Sequence, residues 1–389
     1  MKTLIELYDE RAIENVLAPD MFRPEEVVYL CPEEIWADRE HLNRQYGAFF
    51  YERGWSPRLT FLYCSPYDGE MILKQLLRIV DTHEDCALDV TGGTDAALFA
   101  AGMLAAQRDI PAFTYSRKMN CFYNIRNADF ADRLPCDLVY GVEECFLMAG
   151  GRLRPGRVNN SILKQYLPLY DPFFRVYLKY RRQWPQCVNY MQAVAQEPGE
   201  AVRSPLKVTG IHGKAVTMEP ELLKELLDLQ MLKELRFEQD GQVAFNFADE
   251  QSRAWLRDVG SVLELYVYKA CLDAGIFDDV VSSAVVDWDG EAGKESVSNE
   301  IDAMATRGVL PLFISCKTCA IKTEALNELA ILRDRFGGKG AKAVIVTSEN
   351  CNAAARHRAA QLGIAVIDLE ELLKGEIVHR LKVIMKAEE

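Results

Sequence analysis

The sequence is short of histidine, of basic charge and of long apolar runs, and each shortage removes a class of function. Five histidines in 389 residues are dispersed, so no His-based metal or catalytic cluster stands out along the chain. No run approaches the roughly 18 consecutive apolar residues of a membrane span. The opening MKTLIELYDER lacks a cationic flank followed by an apolar stretch, so a cytoplasmic protein with no membrane partner is expected. Acidic residues outnumber basic ones, 58 to 45, for a net charge of −13. That argues against a protein coated in nucleic acid, whose binding would need a basic surface. A small local basic groove remains compatible with it.

Repeats and low-complexity tracts are also missing. The eleven cysteines are odd in number and irregularly spaced, which suits reduced thiols better than a disulfide framework. Cys316 and Cys319 form a C-x-x-C, but without a second Cys or His pair nearby a zinc site lacks its usual four ligands. What is present is ordinary globular composition, 49% hydrophobic and 26% charged, in a chain long enough for two or three domains.

The first 140 residues alternate strand and helix signals. Thr3 to Tyr8, Glu26 to Leu30, Leu59 to Cys64, Ala87 to Val90 and Ala112 to Ser116 read as strands, with amphipathic segments at Pro32 to Arg53 and Gly69 to Asp81 between them. Such alternation predicts a mostly parallel sheet covered by helices, closed by a hairpin around RKMN. The fourth strand runs into ALDVTGGTDAALFAAGMLAAQRD. There Gly92 and Gly93 permit positive φ, and Thr94, Asp95 and Ala96 open a helix whose free N–H groups suit phosphate or ribose oxygens. Ala96, Ala97, Ala100, Ala101 and Gly102 are small enough to pack that helix closely on the sheet. The T-G-G-T spacing on a fourth strand is not a dinucleotide fingerprint.

The middle of the chain is less legible. Val142 to Ala149 and Asn160 to Tyr180 read as helices, and Gly151 to Pro185 holds eight Arg or Lys against the single acid Asp171. Tyr166, Tyr170, Phe173, Phe174, Tyr177, Tyr180 and Trp184 are interleaved. Such a mixture can grip a single strand by phosphate contact and stacking, but the spacing favours a packed helix pair with a solvated basic face. Gln196 to Pro205 reads as a linker. Glu219 to Leu232 as a helix and Leu235 to Phe247 as a hairpin on Asp240-Gly241 suggest a small winged-helix-like connector.

The C-terminal part is organised around Asn299 to Thr318, NEIDAMATRGVLPLFISCKT, read as two strands folded on Gly308. Asp302 lies on the first strand and Lys317 ends the second, with Glu300 two residues before Asp302 and expected on the same face. By themselves Asp302 and Lys317 are no more than a surface ion pair. Their context adds a long helix from Ser252 to Ala274 carrying Glu264 beside its apolar stripe. Downstream follow a helix from Thr323 to Phe336, a strand from Ala341 to Thr347, a helix from Asn352 to Leu362 and a strand from Ile364 to Asp368. A carboxylate and a lysine on adjacent strands can hold a divalent cation and a polarised water beside a phosphate.

This order resembles the PD-(D/E)xK nuclease fold. The resemblance implies that Glu264 and Asp302 bind Mg2+ or Mn2+ and that Lys317 orients or activates the attacking water. Ser315 stands where that family has an acid two residues before the lysine. The metal set is then completed at the Ser315 position by a backbone carbonyl, by Glu300, or by an acid moved to the following helix, Glu324 or Glu328. Together with TGGTDA and the opening ELYDERAIENVLAP, the chain resembles the CARF-domain nucleases of type III CRISPR systems, which sense cyclic oligoadenylate. That resemblance covers roughly the first and last 140 residues.

The implied organisation is an α/β chain with a Rossmann-like CARF sensor domain at 1–140, a connector at 141–250 and a PD-(D/E)xK domain at 251–389. Thr91, Gly92, Gly93, Thr94 and Asp95 would line the second-messenger pocket, with the loop Asp9 to Asn15, including Glu10, as its other wall. The implied function is metal-dependent cleavage of nucleic acid, single-stranded RNA and/or DNA, with nicking of duplex DNA also open. Cyclic tetra-adenylate would be the activator and the protein a homodimer. The alternative that Ser315 keeps open is a non-catalytic sensor with a nuclease-like scaffold.

Overall fold

The structure, a computed structural model, describes residues 1–154, 160–195, 199, 201–288, 297–338 and 340–386. At the N-terminus, β1 (Thr3–Leu7), α1 (Ala12–Phe22), β2 (Glu26–Cys31), α2 (Glu33–Ala37), α3 (Arg39–Glu52), β3 (Arg58–Tyr63), α4 (Gly69–Thr82), β4 (Cys86–Asp89), α5 (Asp95–Arg108), β5 (Ala112–Ser116), β6 (Cys121–Arg126) and β7 (Leu134–Pro135) follow one another. They form a seven-stranded sheet in the order β3-β2-β1-β4-β5-β6-β7. The first five strands pair in parallel, and β6 returns antiparallel to β5 through the expected hairpin. Strands β1 and β2 are buried along their whole length, as a parallel sheet covered on both faces requires. On one face α4 and α5 pack through Leu76, Ile79, Ala100, Ala101 and Leu104. Gly102, expected in that contact, is exposed.

The middle comprises α6 (Val142–Met148), β8 (Arg152–Leu153), α7 (Asn160–Gln165), α8 (Leu167–Lys179), α9 (Trp184–Val194), β9 (Val202–Pro205), β10 (Lys207–Thr209), β11 (Ala215–Thr217), α10 (Pro220–Asp228), β12 (Leu232–Phe237) and β13 (Gln242–Phe247). Strands β12, β13 and β9 make a small antiparallel sheet. The linker expected at 196–205 ends in β9, and its residues 196–198 and 200 lie outside the described set. The interleaved aromatics are core: Tyr170, Phe173, Phe174, Tyr177 and Trp184 are all buried, and the Phe174 and Tyr266 rings stack at 3.8 Å.

The C-terminal part runs α11 (Glu250–Leu256), α12 (Ser261–Ala274), β14 (Asp279–Asp287), β15 (Ser298–Arg307), β16 (Leu310–Lys317), α13 (Thr323–Phe336), β17 (Lys342–Thr347), α14 (Ala353–Gln361), β18 (Ile364–Ile367), α15 (Leu369–Leu373) and α16 (Ile377–Lys386). Its sheet has the order β18-β17-β16-β15-β14-β8. Two expectations change here. The helix expected over Ser252 to Ala274 is two helices, because Asp258 accepts hydrogen bonds from the backbone N–H of Gly260 and Ser261 at 3.2 and 2.7 Å and starts a new helix at Ser261. An additional strand, β14, lies beside β15 in antiparallel register.

The two large sheets share a core. Ile13, Phe49, Tyr140 and Phe146 from the N-terminal side cluster with Met304, Phe313, Leu329 and Phe336 from the C-terminal side. A second core, under α8, α12 and α16, covers the other face of the C-terminal sheet.

Candidate functional site

Strands β14 and β15 change face together at one rung. On β15, Ile301 and Met304 point into the core shared with the N-terminal sheet while Ala303 and Ala305 point under α12, so the alternation slips across Asp302. On β14 the register pairs Ser282 with Ala303 and Ala284 with Ile301, which sets Ser283 opposite Asp302. Ser283 takes φ 52°, a left-handed conformation that costs a non-glycine residue on the order of 1 kcal/mol or more. The kink places Asp302 at the edge of a fork inside the sheet, where β15 and β16 stop pairing past Ala303 and Ile314.

Three segments converge on that edge. From β16, the Cys316 backbone N–H donates to Asp302 Oδ2 at 2.6 Å and the Ser315 hydroxyl donates to the same oxygen at 3.2 Å. Lys317 Nζ stands 3.6 Å from it. From α12, Glu264 directs Oε1 back toward Gly260, where a Cβ would sit 2.7 Å from it. The Ser283 hydroxyl lies 3.5 Å from Glu264 Oε2. Burial pushes the Glu264 carboxyl up to about 8, with the neighbouring carboxylates of Asp302, Asp258 and Glu300 adding to the rise and Lys317 opposing it. Glu264 therefore sits among acids without enough positive charge to match them.

A cleft of about 240 Å³ opens beside Asp302, lined by Glu300, Ser315 and Lys317 from the strands and by Glu328 and Leu329 from α13. Glu328 accepts a hydrogen bond from Asn299 Nδ2 at 2.9 Å. Glu324, on the first turn of α13, is exposed and does not line the cleft. Among the described residues no three His, Cys, Asp or Glu side chains converge closely enough to hold a metal ion. The donor chemistry nonetheless fits a hard divalent cation: Asp302 and Glu264 are carboxylates brought near one another, and burial together with neighbouring acids raises Glu264. Cys316 is buried and Cys319 exposed.

The glycine turn at the other end of the chain is equally constrained. Gly93 has φ +94°, and a Cβ there would come within 2.7 Å of Leu7 Cβ. A Cβ on Gly92 would meet Asp9 Cβ and the Leu7 carbonyl at 3.0 Å, so the turn lies directly against the loop after β1. That loop is tied by buried Asn15, which accepts from Asp9 N–H at 2.8 Å and donates to the Asp9 carbonyl at 2.7 Å. Glu10, Thr94 and Asp95 are exposed. Thr94 caps α5 at Ala97 N–H and donates to the Pro66 carbonyl.

The Thr91 hydroxyl is engaged internally. It donates to Asp89 Oδ1 and accepts from Tyr115 N–H at 2.8 Å. A crevice of about 30 Å³ lies between Leu7, Leu30, Pro32, Ser65, Pro66, Gly93 and Thr94. On the opposite face of the sheet Glu6 and Asp89 lie side by side across β1 and β4, and burial raises both carboxyls, Asp89 to about 7. Sequence reasoning missed these two acids because they fall inside strands that read as wholly apolar. Ser283 carried no signal, since a backbone angle is not written in residue type.

Residues 249–385 match the family model of the Card1-like endonuclease domain. No curated protein matches the chain. Among solved structures, protein VC1899 from Vibrio cholerae is 18% identical with a TM-score of 0.76, covering 99% of this chain and 98% of that one. Can2 from Sulfobacillus thermosulfidooxidans, solved in complex with cyclic tetra-adenylate, is 18% identical with a TM-score of 0.73, covering 98% of this chain and 99% of that one. The likeness to both is one of fold and runs the full length. The chain is thus an α/β protein with a Rossmann-like N-terminal sheet, the fold of Can2, and a C-terminal segment that matches the Card1-like endonuclease model.

Because the Asp89 carboxyl is raised in the folded chain from the ordinary 3.8 to about 7, the folded state holds a proton that the unfolded state releases. That stability is fully present below about pH 4 and is lost as pH rises through about 7. Asp89→Asn should flatten the fall in thermal midpoint between pH 5 and 8. An unchanged slope in thermal unfolding scans would remove Asp89 as its source.

Proposed function

We propose that the chain is a cyclic tetra-adenylate-activated, divalent-metal-dependent endonuclease of type III CRISPR defence, acting on single-stranded RNA and/or DNA. The observation that carries this is the gathering of Asp302, Lys317 and Glu264 from three elements at the kinked fork between β15 and β16, inside the segment that matches an endonuclease family model. Glu264 and Asp302 would hold Mg2+ or Mn2+, with Glu300 and Glu328 at the rim of the same cleft. When bound, the metal supplies Lewis-acid polarisation of the phosphate and charge neutralisation. Lys317, anchored beside Asp302, presents its ammonium to the attacking water and the phosphate oxygens. Ser315 supplies no charge and instead fixes the Asp302 carboxylate by its hydroxyl.

The sensor half of the proposal rests on the glycine turn and on size. A crevice of about 30 Å³ is far below the ~300–1,000 Å³ of ordinary ligand pockets, so one copy alone cannot enclose a cyclic tetranucleotide. A symmetric ring is better served by two copies meeting across a twofold axis. An apolar stripe suited to that contact begins at the turn itself: Phe99 is 72% exposed and Met103 38% exposed on α5, with Gly102 between them. Large exposed apolar side chains beside small ones mark an association face. The Can2 structure, of the same fold, contains cyclic tetra-adenylate, which supports the choice of activator.

Asp302→Ala and Lys317→Ala should each lower cleavage of a labelled single-stranded oligonucleotide by about 100-fold or more, and a chelator should do the same to the unaltered protein. Full cleavage by either variant, or in the presence of chelator, would remove the proposed site, and no cleavage by the unaltered protein with activator and Mn2+ would favour the non-catalytic sensor.

Gly93→Val should raise the half-maximal concentration of cyclic tetra-adenylate at least tenfold, about 1.4 kcal/mol, without changing metal preference. An unmoved midpoint in that titration would remove the turn from the sensor.

Phe99→Glu should convert a dimer to monomer in sedimentation. A monomeric unaltered protein, with and without ligand, would contradict the assembly.

A further inference from the structure

The middle region enters the nuclease site through one buried hydroxyl pair. A lysine side chain has a flexible four-carbon stem, so where the Lys317 ammonium rests depends on how its backbone is held. Lys317 is the last residue of β16, and the neighbouring end of β17 pins the chain as it leaves the sheet. The Ser348 N–H donates to the Lys317 carbonyl at 3.1 Å, and the Thr347 hydroxyl donates to the Cys319 carbonyl at 3.0 Å. Thr347 and Ser348 are 1% and 0% exposed.

The Ser348 hydroxyl meets the Tyr177 hydroxyl of α8 at 2.5 Å. Tyr177 is buried between Phe174, stacked at 5.8 Å, and Trp184, edge-on at 5.6 Å. Four residues further on, Arg181 Nε reaches Glu349 at 3.4 Å. Two contacts from one connector stretch thus converge on residues 348 and 349. A hydroxyl pair in an apolar core adds little to stability over an apolar pair of the same shape, whereas either hydroxyl alone is costly. The pair is therefore better explained by what it holds in place.

We infer that Tyr177 and Ser348 are positioning residues for Lys317, coupling the connector helix α8 to the lysine end of the nuclease site. This rests on the nuclease function proposed above. A shift of α8 displaces Ser348, and with it the backbone from which Lys317 reaches Asp302.

The test compares Tyr177→Phe, Ser348→Ala and the double variant with the unaltered full chain and with Lys317→Ala. Thermal unfolding, Mn2+ binding and cleavage of a labelled single-stranded RNA or DNA oligonucleotide are measured at saturating cyclic tetra-adenylate. The double variant leaves no unpaired buried hydroxyl, so it should recover the thermal midpoint lost by either single change. Its kcat should stay about tenfold low, with KM and Mn2+ affinity unchanged. Recovery of kcat along with thermal stability would show a purely structural pair and overturn the inference, as would loss of Mn2+ affinity. Should Lys317→Ala itself cleave normally, the catalytic role of Lys317 falls, and the positioning role falls with it; should the unaltered chain not cleave at all, it is the nuclease function that falls.

Discussion

The hydrogen bond from the Cys316 N–H to the Asp302 carboxylate, at 2.6 Å, is the constraint on which the C-terminal site depends. It joins β16 to β15 where the face alternation of β15 slips, and so replaces regular strand pairing with a fixed carboxylate at the fork between the two strands. Had β15 stayed regular, Asp302 would be confined to one face and could not lie between the reach of α12 and that of α13. The left-handed Ser283 opposite it is the local cost of this placement. With Oδ2 held by the main chain of Cys316 and by Ser315, the carboxylate does not depend on Lys317 for its position. The lysine is correspondingly free to serve another partner.

Most elements were legible because their signals are local. Turn glycines, period-two strands and the Ala-rich α5 each declare themselves within a dozen residues. The misses are cases where a local signal was overruled or absent. The apolar spacing of Trp255, Val259 and Val262 continues through the break before Ser261, so only the capping role of Asp258 could have revealed two helices. Strand β14 lies in DVVSSAVVD, where the Ser-Ser pair at the kink interrupts the alternation that would have announced it. The aromatics of α8 illustrate the converse: their spacing favoured burial over nucleic-acid contact, and the core they form bears that out.

At the candidate sites the sequence supplied residue types and the fold supplied their company. Glu264 precedes Asp302 by 38 residues and meets it only where α12 packs on the sheet, while Lys317, 15 residues after Asp302, comes back to it on the neighbouring strand β16. Glu328 joins the cleft where Glu324 does not, because Glu324, on the same helix face one turn nearer the start of α13, falls short of it along the helix axis. Glu6 and Asp89 were unreadable as acids of interest until β1 and β4 were seen side by side.

The same packing revises how a ligand at the glycine turn could reach the nuclease edge. Reasoning from sequence places the two motifs in separate domains joined by the connector, which leaves domain rearrangement through that connector as the route. The structure has a shorter one. Helix α1 starts at Ala12, within the Asp9 to Asn15 stretch expected as a loop, and its Ile13 lies where a Cβ on Gly338, just beyond α13, would come within 2.4 Å. Arg117, ion-paired to Glu14 of α1, lies close to Gly340. Helix α13 carries Glu328 on the cleft, so α1 and the loop after α13 connect the stretch after β1 to the cleft. The lysine side is held separately, through α8 and Ser348. A ligand that moved only α1 would therefore alter the carboxylate arrangement around Asp302 while leaving Lys317 anchored, and activation would consist of bringing acids into reach of a metal rather than of assembling the whole site.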